Sequence, residues 1–284
     1  GSLIVCVEKM NSVLDVDVSN GYVETQPGIF NTDLRDHVAG HGLWYAPDPA
    51  SKDFCSIGGN VNTNAGGLCC VKYGVTRDAV LGLEVVLGTG EVIRTGSRLV
   101  KDVAGYDLTR LITGSEGTLG IITEATVALR PRPQAAHYGL AYFESLADAA
   151  RAVEAIVSAG ILPATLEFLD QTCIRSVESY AGLGLDTEAG ALLLFGDDGE
   201  ESAAKQTTTL MAQIARSAAG IRGLTLAGSA LESEALLEAR RCSLPSLARL
   251  GTLQPRVPDY AGAFQAIGQA AIKLGQTLAT RPDL

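Results

Sequence analysis

The feature that most constrains this chain is the run Ser56-Ile57-Gly58-Gly59-Asn60-Val61-Asn62-Thr63-Asn64-Ala65-Gly66-Gly67. Two Gly-Gly pairs so close together, interleaved with Asn and Thr, are poor material for a helix or strand interior. Glycine permits positive φ and lets backbone N–H groups approach a ligand closely, while Asn and Thr add side-chain donors. The pattern predicts a cradle of exposed amides shaped for a diphosphate; a pair of tight surface turns satisfies the spacing equally well. It is not the GxGxxG of a strand–turn–helix dinucleotide site, and the GlyLysSer ending of a phosphate loop is missing. A second cluster, Gly114-Ser115-Glu116-Gly117-Thr118-Leu119-Gly120, precedes the apolar Ile121-Ile122. It offers backbone against which a flat ring or ribose can lie, and a plain turn into a strand explains it as well.

Around these clusters the first 130 residues read as short strands punctuated by glycine. Leu14, Val16 and Val18 alternate with Asp15 and Asp17, Asn20-Gly21 supplies a two-residue hairpin turn, and residues 22–26 return. Pro27-Gly28 stops that strand, Asn31 or Thr32 caps a short helix, and Gly40 ends it. Residues 82–87 and 91–95 form a hairpin about Gly88-Thr89-Gly90, and Ile121, Thr123, Ala125, Val127 and Leu129 share one face of a long strand. Pro131-Arg132-Pro133 marks a change of texture, so residues 1–133 and 134–284 are expected to form separate domains. Beyond it, strands at 138–143, 164–169 and 191–195 and helices at 146–158 and about 200–218 predict an α+β layer with helices on one face. Tyr260, Phe264, Ile267, Ala271 and Leu274 fall at helical spacing and predict a late amphipathic helix.

Composition removes whole classes of function. The chain of 284 residues is 46% hydrophobic and 19% charged, ample for a buried core. No apolar run reaches the roughly 18–20 residues of a membrane-spanning helix, so direct membrane insertion is not expected. Lys plus Arg number 22 against 32 for Asp plus Glu, a formal charge of −10 that leaves no basic footprint for nucleic acid. No basic stretch followed by an apolar one opens the sequence, and the expected location is cytoplasmic. The six cysteines form no CxxC pair and the histidines number three, so reduced thiols and no metal site are expected. His37 and His41 read as surface or capping residues, and Cys69 and Cys70 as packing.

Several ordered motifs then converge: Pro47-Asp48-Pro49-Ala50-Ser51, IGGNVNTNAGG at 57–67, Lys72-Tyr73-Gly74, LGLEVVL at 81–87, KDVAGYDLTRL at 101–111 and GSEGTLGIITEA at 114–125. Together they resemble the FAD-linked oxidases of the vanillyl-alcohol oxidase superfamily, of the glycolate oxidase flavin-subunit and D-lactate dehydrogenase type. The resemblance is dense over residues 3–133 and looser to about 275. It implies an α+β protein: an FAD-binding PCMH-type domain of two α+β subdomains, followed by a ferredoxin-like α+β cap domain. It also implies that Pro49, Cys55, Ser56, Gly58, Gly59 and Asn60 line the pyrophosphate and flavin edge of FAD. Thr63, Asn64, Ala65 and Gly66 continue that wall, and Gly117, Thr118, Gly120, Ile121 and Ile122 meet the adenosine end through backbone; Tyr73 and Gly74 are secondary candidates. The implied reaction is oxidation of a small 2-hydroxy acid by hydride transfer from its α-carbon to the flavin. The segment from Leu236 to Pro245 resembles the one in which an arginine holds the substrate carboxylate, and Arg240 is the matching position, with Arg241 second. The planar fork of arginine suits that role.

The family's upstream glycine-rich loop and downstream histidine motif find no match, and the segment from Leu250 to Pro258 is short against the family pattern. The expectation is an internal portion of a flavoenzyme, incomplete at both ends, with no catalytic base assigned and with weak or absent binding of FAD. A second reading is a non-catalytic assembly subunit of a complex that also contains a related flavin-domain subunit and an iron–sulfur subunit.

Overall fold

Alternating apolar and polar residues in the first part of the chain pair into antiparallel ladders. The computed structural model describes residues 4–249, which separate into two units divided between Arg132 and Pro133. The first unit runs β1 (Val13–Asp17), β2 (Tyr22–Thr25), α1 (Asn31–Ala39), β3 (Leu43–Trp44) and α2 (Ile57–Thr63). It continues through α3 (Cys70–Tyr73), α4 (Thr76–Ala79), β4 (Val80–Val86), β5 (Val92–Gly96), α5 (Leu108–Ile112), β6 (Ile121–Ala128) and β7 (Arg130–Pro131). Five strands form one sheet in the order β1-β2-β6-β4-β5, and β3 pairs with β7 in a second, small one. Val23, Leu34, Tyr45, Ile57, Val61, Val85 and Val127 are fully buried in a core that α1 and α2 share with the sheet.

Four local expectations are corrected. The β1–β2 connection is a four-residue loop rather than a two-residue turn: Asp17 Oδ1 accepts the Asn20 N–H at 2.9 Å, and Gly21 takes φ +67°. The alternation along β1 is broken by a register shift between Val13 and Asp15, so Val13 and Val16 pack on the core while Leu14 and Val18 stay exposed. On β6, Glu84 pairs with Glu124 but Val85 with Ile122, so Thr123 is the extra residue of a bulge. Ile122, rather than Ile121 and Thr123, therefore joins Ala125, Val127 and Leu129 in the core. In α1 neither Asn31 nor Thr32 caps the helix; Phe30 occupies that position, Asn31 Nδ2 donates to the Pro47 carbonyl, and the Thr32 hydroxyl donates to the Lys52 carbonyl.

The second unit runs β8 (Ala135–Phe143), α6 (Leu146–Ser158), β9 (Thr165–Asp170), α7 (Gln171–Ala181), β10 (Ala191–Gly199), α8 (Glu201–Ser217), β11 (Ile221–Leu226), α9 (Ala230–Arg241) and α10 (Ser243–Ala248). Its sheet is antiparallel in the order β11-β8-β10-β9, a ferredoxin-like arrangement with α7 inserted between its second and third strands. Ser145 caps α6 and Glu200 caps α8, each accepting backbone N–H groups of the first turn. The apolar faces of these helices, Ala149, Ala152, Val153 and Ile156 on one and Met211, Ala212 and Ala215 on the other, are buried, and the sheet itself buries apolar residues on both faces, Leu140 and Leu192 on one and Leu166 and Phe195 on the other. The amphipathic helix expected around Tyr260–Leu274, and the short segment at 250–258, lie outside the described residues.

Candidate functional site

The first Gly-Gly pair lies within α2, which corrects the expectation that it would avoid helix. Tertiary contact, not propensity, decides this: Ile57 N donates to Ile29 O at 2.8 Å and Gly58 N to Pro27 O at 2.7 Å. The next two amides are taken by the Ser56 cap, Gly59 N by its hydroxyl at 3.1 Å and Asn60 N by its carbonyl at 2.9 Å. The expected cradle of exposed amides therefore does not form at residues 57–60, because each of those N–H groups is spent within the chain. Nor are Asn62 and Thr63 outward donors: Asn62 Nδ2 donates to Gly58 O and the Thr63 hydroxyl to Gly59 O, one turn back in their own helix.

What the helix does build lies at its C-terminal end. Asn64 ends α2 in the left-handed region (φ 49°) and its Oδ1 accepts the Arg77 N–H at 2.9 Å. Gly114 N donates to Val61 O and Glu116 N to Asn62 O, both at 2.9 Å, tying the second glycine cluster against α2. Gly114, Glu116 and Gly117 all have positive φ, and Glu116, as a non-glycine, is strained there. A Cβ on Gly117 would meet open space, so backbone at that turn is accessible to a ligand. Around this junction Asn60 Nδ2, Asn62 Oδ1, Arg77 Nε and Ser115 Oγ are buried without a hydrogen-bond partner. Native interiors rarely leave such atoms unpaired. A mixed set of orphaned donors and acceptors beside an open backbone turn fits a large polar ligand such as FAD.

The remaining residues implied by the resemblance divide clearly. Ser56, Gly58, Gly59, Asn60, Thr63, Asn64 and Ala65 lie on α2 or at its ends, whereas Pro49 and Cys55 belong to the loop before it. That loop reaches the second Gly-Gly pair, since a Cβ on Gly67 would lie 2.4 Å from Asp48 O; Gly66 is half-buried beside it. Gly117 and Thr118 are exposed, Ile121 partly so, while Ile122 is core and offers only its backbone. Gly120 packs on β4, where a Cβ would lie 2.6 Å from Val85 Cγ1. Tyr73 stands edge-on to Trp44 with centroids 4.9 Å apart, and Arg35 and Arg130 stack on the pair, which is a packing role.

In the second unit Arg240, near the end of α9, is not a solvated helix-end residue. Its Nε donates to Glu167 Oε2 of β9 at 2.8 Å, with side-chain exposures of 13% and 8%. Arg241 is tied to Glu234 on its own helix. Glu167 went unnoticed in the sequence, although a lone carboxylate inside Thr165-Leu166-Glu167-Phe168-Leu169 is the signal that finds it. Burial pushes the Cys173 thiol up to about 12 and that of Cys242 up to about 11, so both are protonated at neutral pH. Among the described residues no group of three or more His, Cys, Asp or Glu is placed to hold a metal ion. No helix among them is long and apolar enough to cross a membrane.

A family described as "FAD binding domain" matches residues 1–96, and one described as "FAD linked oxidases, C-terminal domain" matches residues 132–260. Glycolate oxidase subunit GlcD of Bacillus subtilis is 48% identical over 250 residues, covering 88% of this chain and 53% of that protein. The subunit of the same name from Escherichia coli K12 is 38% identical over 258 residues, 91% of this chain and 50% of that one. A D-lactate dehydrogenase of Anaerostipes hadrus is 40% identical over 205 residues, covering 70% and 43% respectively. Among solved structures, an alkyldihydroxyacetonephosphate synthase aligns with a TM-score of 0.66 at 27% identity, over 84% of this chain and 48% of the other. The chain spans about half the length of the curated relatives it matches.

Proposed function

The chain belongs to the FAD-linked oxidases, carrying their FAD-binding and C-terminal domains, and from that premise we propose that it forms the cofactor- and carboxylate-binding part of an FAD-dependent 2-hydroxy-acid dehydrogenase of the glycolate or D-lactate type. The observation that carries this reading is the orphaned polar set at the end of α2 beside the open turn at Gly117. FAD, when bound, supplies the acceptor for the hydride that leaves the substrate α-carbon. Asn60, Asn62 and Ser115 provide side-chain contacts, and Cys55, Ser56, Gly59, Thr63 and Gly117 with Thr118 line the approach. Ile57–Asn60 contribute shape rather than amides. Arg240 receives the substrate carboxylate on its terminal nitrogens, fixing the acid so that its α-carbon has one orientation. No residue of the described chain is assigned as the base.

The relatives named as subunits of glycolate oxidase support a chain that works beside other subunits; a related flavin-domain subunit, an iron–sulfur subunit and a cytoplasmic location are part of the same proposal and rest on the family resemblance alone. The spent amides at 57–60 favour the second reading, a non-catalytic assembly subunit. Titration with FAD, followed by quenching of Trp44 and by flavin absorbance, separates the two. A saturable site is expected, weakened about tenfold (roughly 1.4 kcal/mol) by Asn60→Ala. No saturation at millimolar FAD rejects the orphaned polar set as a cofactor site of this chain, and with it the observation that carries the enzymatic reading.

A further inference from the structure

We infer that Glu167 is a positioning residue that aims Arg240 at a carboxylate. This rests on the assignment of Arg240 above and deepens it. Glu167 is 7% exposed, in a strand whose Leu166, Phe168 and Leu169 are buried. A carboxylate in such surroundings is costly unless paired. Its partner comes from an element 73 residues away and engages it through Nε, at 2.8 Å. Arginine carries five N–H donors in a rigid plane, so holding Nε fixes the direction of the rest. Among the described residues Nη1 and Nη2 of Arg240 have no hydrogen-bond partner, although the side chain is only 13% exposed. The result is a guanidinium clamped on one edge with its outer fork free, suited to the two oxygens of a small carboxylate.

Charge alone argues the opposite. Glu167 is an anion beside an anion site, so on Coulombic grounds its removal should tighten binding. Positioning predicts the reverse, and the sign decides. In calorimetric titrations of the chain with glycolate, Glu167→Ala is expected to raise Kd at least tenfold. Glu167→Gln, which keeps an acceptor for Nε, should stay within about threefold of the parent. Arg240→Lys, which keeps the charge but loses the fork, should weaken binding tenfold or more. Unchanged or tighter binding in Glu167→Ala, with Arg240→Lys weakened, overturns the role of Glu167 alone. Parent-like binding in Arg240→Lys, or no saturable glycolate binding by the parent, overturns the assignment of Arg240 as well. Should Glu167→Ala fail to fold, nitrogen NMR of the parent gives the same decision. Glycolate should shift the Nη signals of Arg240 and leave Nε in place; a ligand-induced shift confined to Nε overturns the inference.

Discussion

A methyl group added at Gly58 would lie 2.5 Å from Pro27 Cβ and 3.0 Å from its carbonyl oxygen, whereas at Gly59 the nearest atom is Ser56 Oγ at 3.2 Å. Pro27 is a rigid ring on a backbone already fixed by the Gly58 N–H, so it cannot yield; a hydroxyl can rotate away. Gly58→Ala should therefore destabilise the first unit by about 1–3 kcal/mol, the usual cost of overpacking. Gly59→Ala should change stability by less than about 1 kcal/mol, because gained helix propensity offsets the tight hydroxyl contact. Urea unfolding followed by Trp44 fluorescence measures both, and equal losses would show that the two glycines serve one purpose. The difference was not readable in the sequence, because Pro27 is brought to α2 by tertiary folding. The proposal that Arg240 holds a carboxylate came only through resemblance, whereas its pairing with Glu167 is a product of the fold. Glu167 could have been read as an anomaly in an apolar strand, but not matched to its partner.

At the scale of elements, the helices α6 and α8 were legible because apolar spacing and capping agree there, Ser145 for one and Glu200 for the other. Helix α2 was not, since its glycines argue against helix and its first amides are held by Pro27 and Ile29. Strand β6 was legible in extent but not in facing, because one bulged residue, Thr123, exchanges the sides. Helix α7 escaped because Asp170 both ends β9 and caps the helix, leaving no loop between them. The α8 cap makes a pH prediction. Hydrogen bonds from the Ser202 hydroxyl and from the Ala203 and Ser202 amides hold the Glu200 carboxyl below the ordinary 4.5. A carboxyl with a lowered folded value stabilises above its unfolded value, and that contribution is lost as pH falls through the folded one. Glu200→Ala should thus melt below the parent at pH 7, with the gap in Tm closing as the pH is taken from 4.5 downward. A gap that persists at pH 2–3 would assign it to packing instead.

At the scale of the molecule, the orphaned polar set and the Arg240–Glu167 pair each lie wholly within one unit, on either side of the division between Arg132 and Pro133. The family was legible because its motifs are contiguous strings, whereas both chemical features are assembled from separated segments. Their separation has a thermodynamic consequence. A ligand that binds only the folded form stabilises the unit that holds it, by about 1.4 kcal/mol at ten times its Kd. Trp44, the sole tryptophan, belongs to the first unit and reports on it alone. FAD should therefore move the Trp44 unfolding midpoint to higher urea. Glycolate should leave that midpoint in place and delay loss of the far-ultraviolet dichroism contributed by α6 to α9. A shift of the Trp44 midpoint by glycolate of the same size as that by FAD would mean that the carboxylate site is not confined to the second unit.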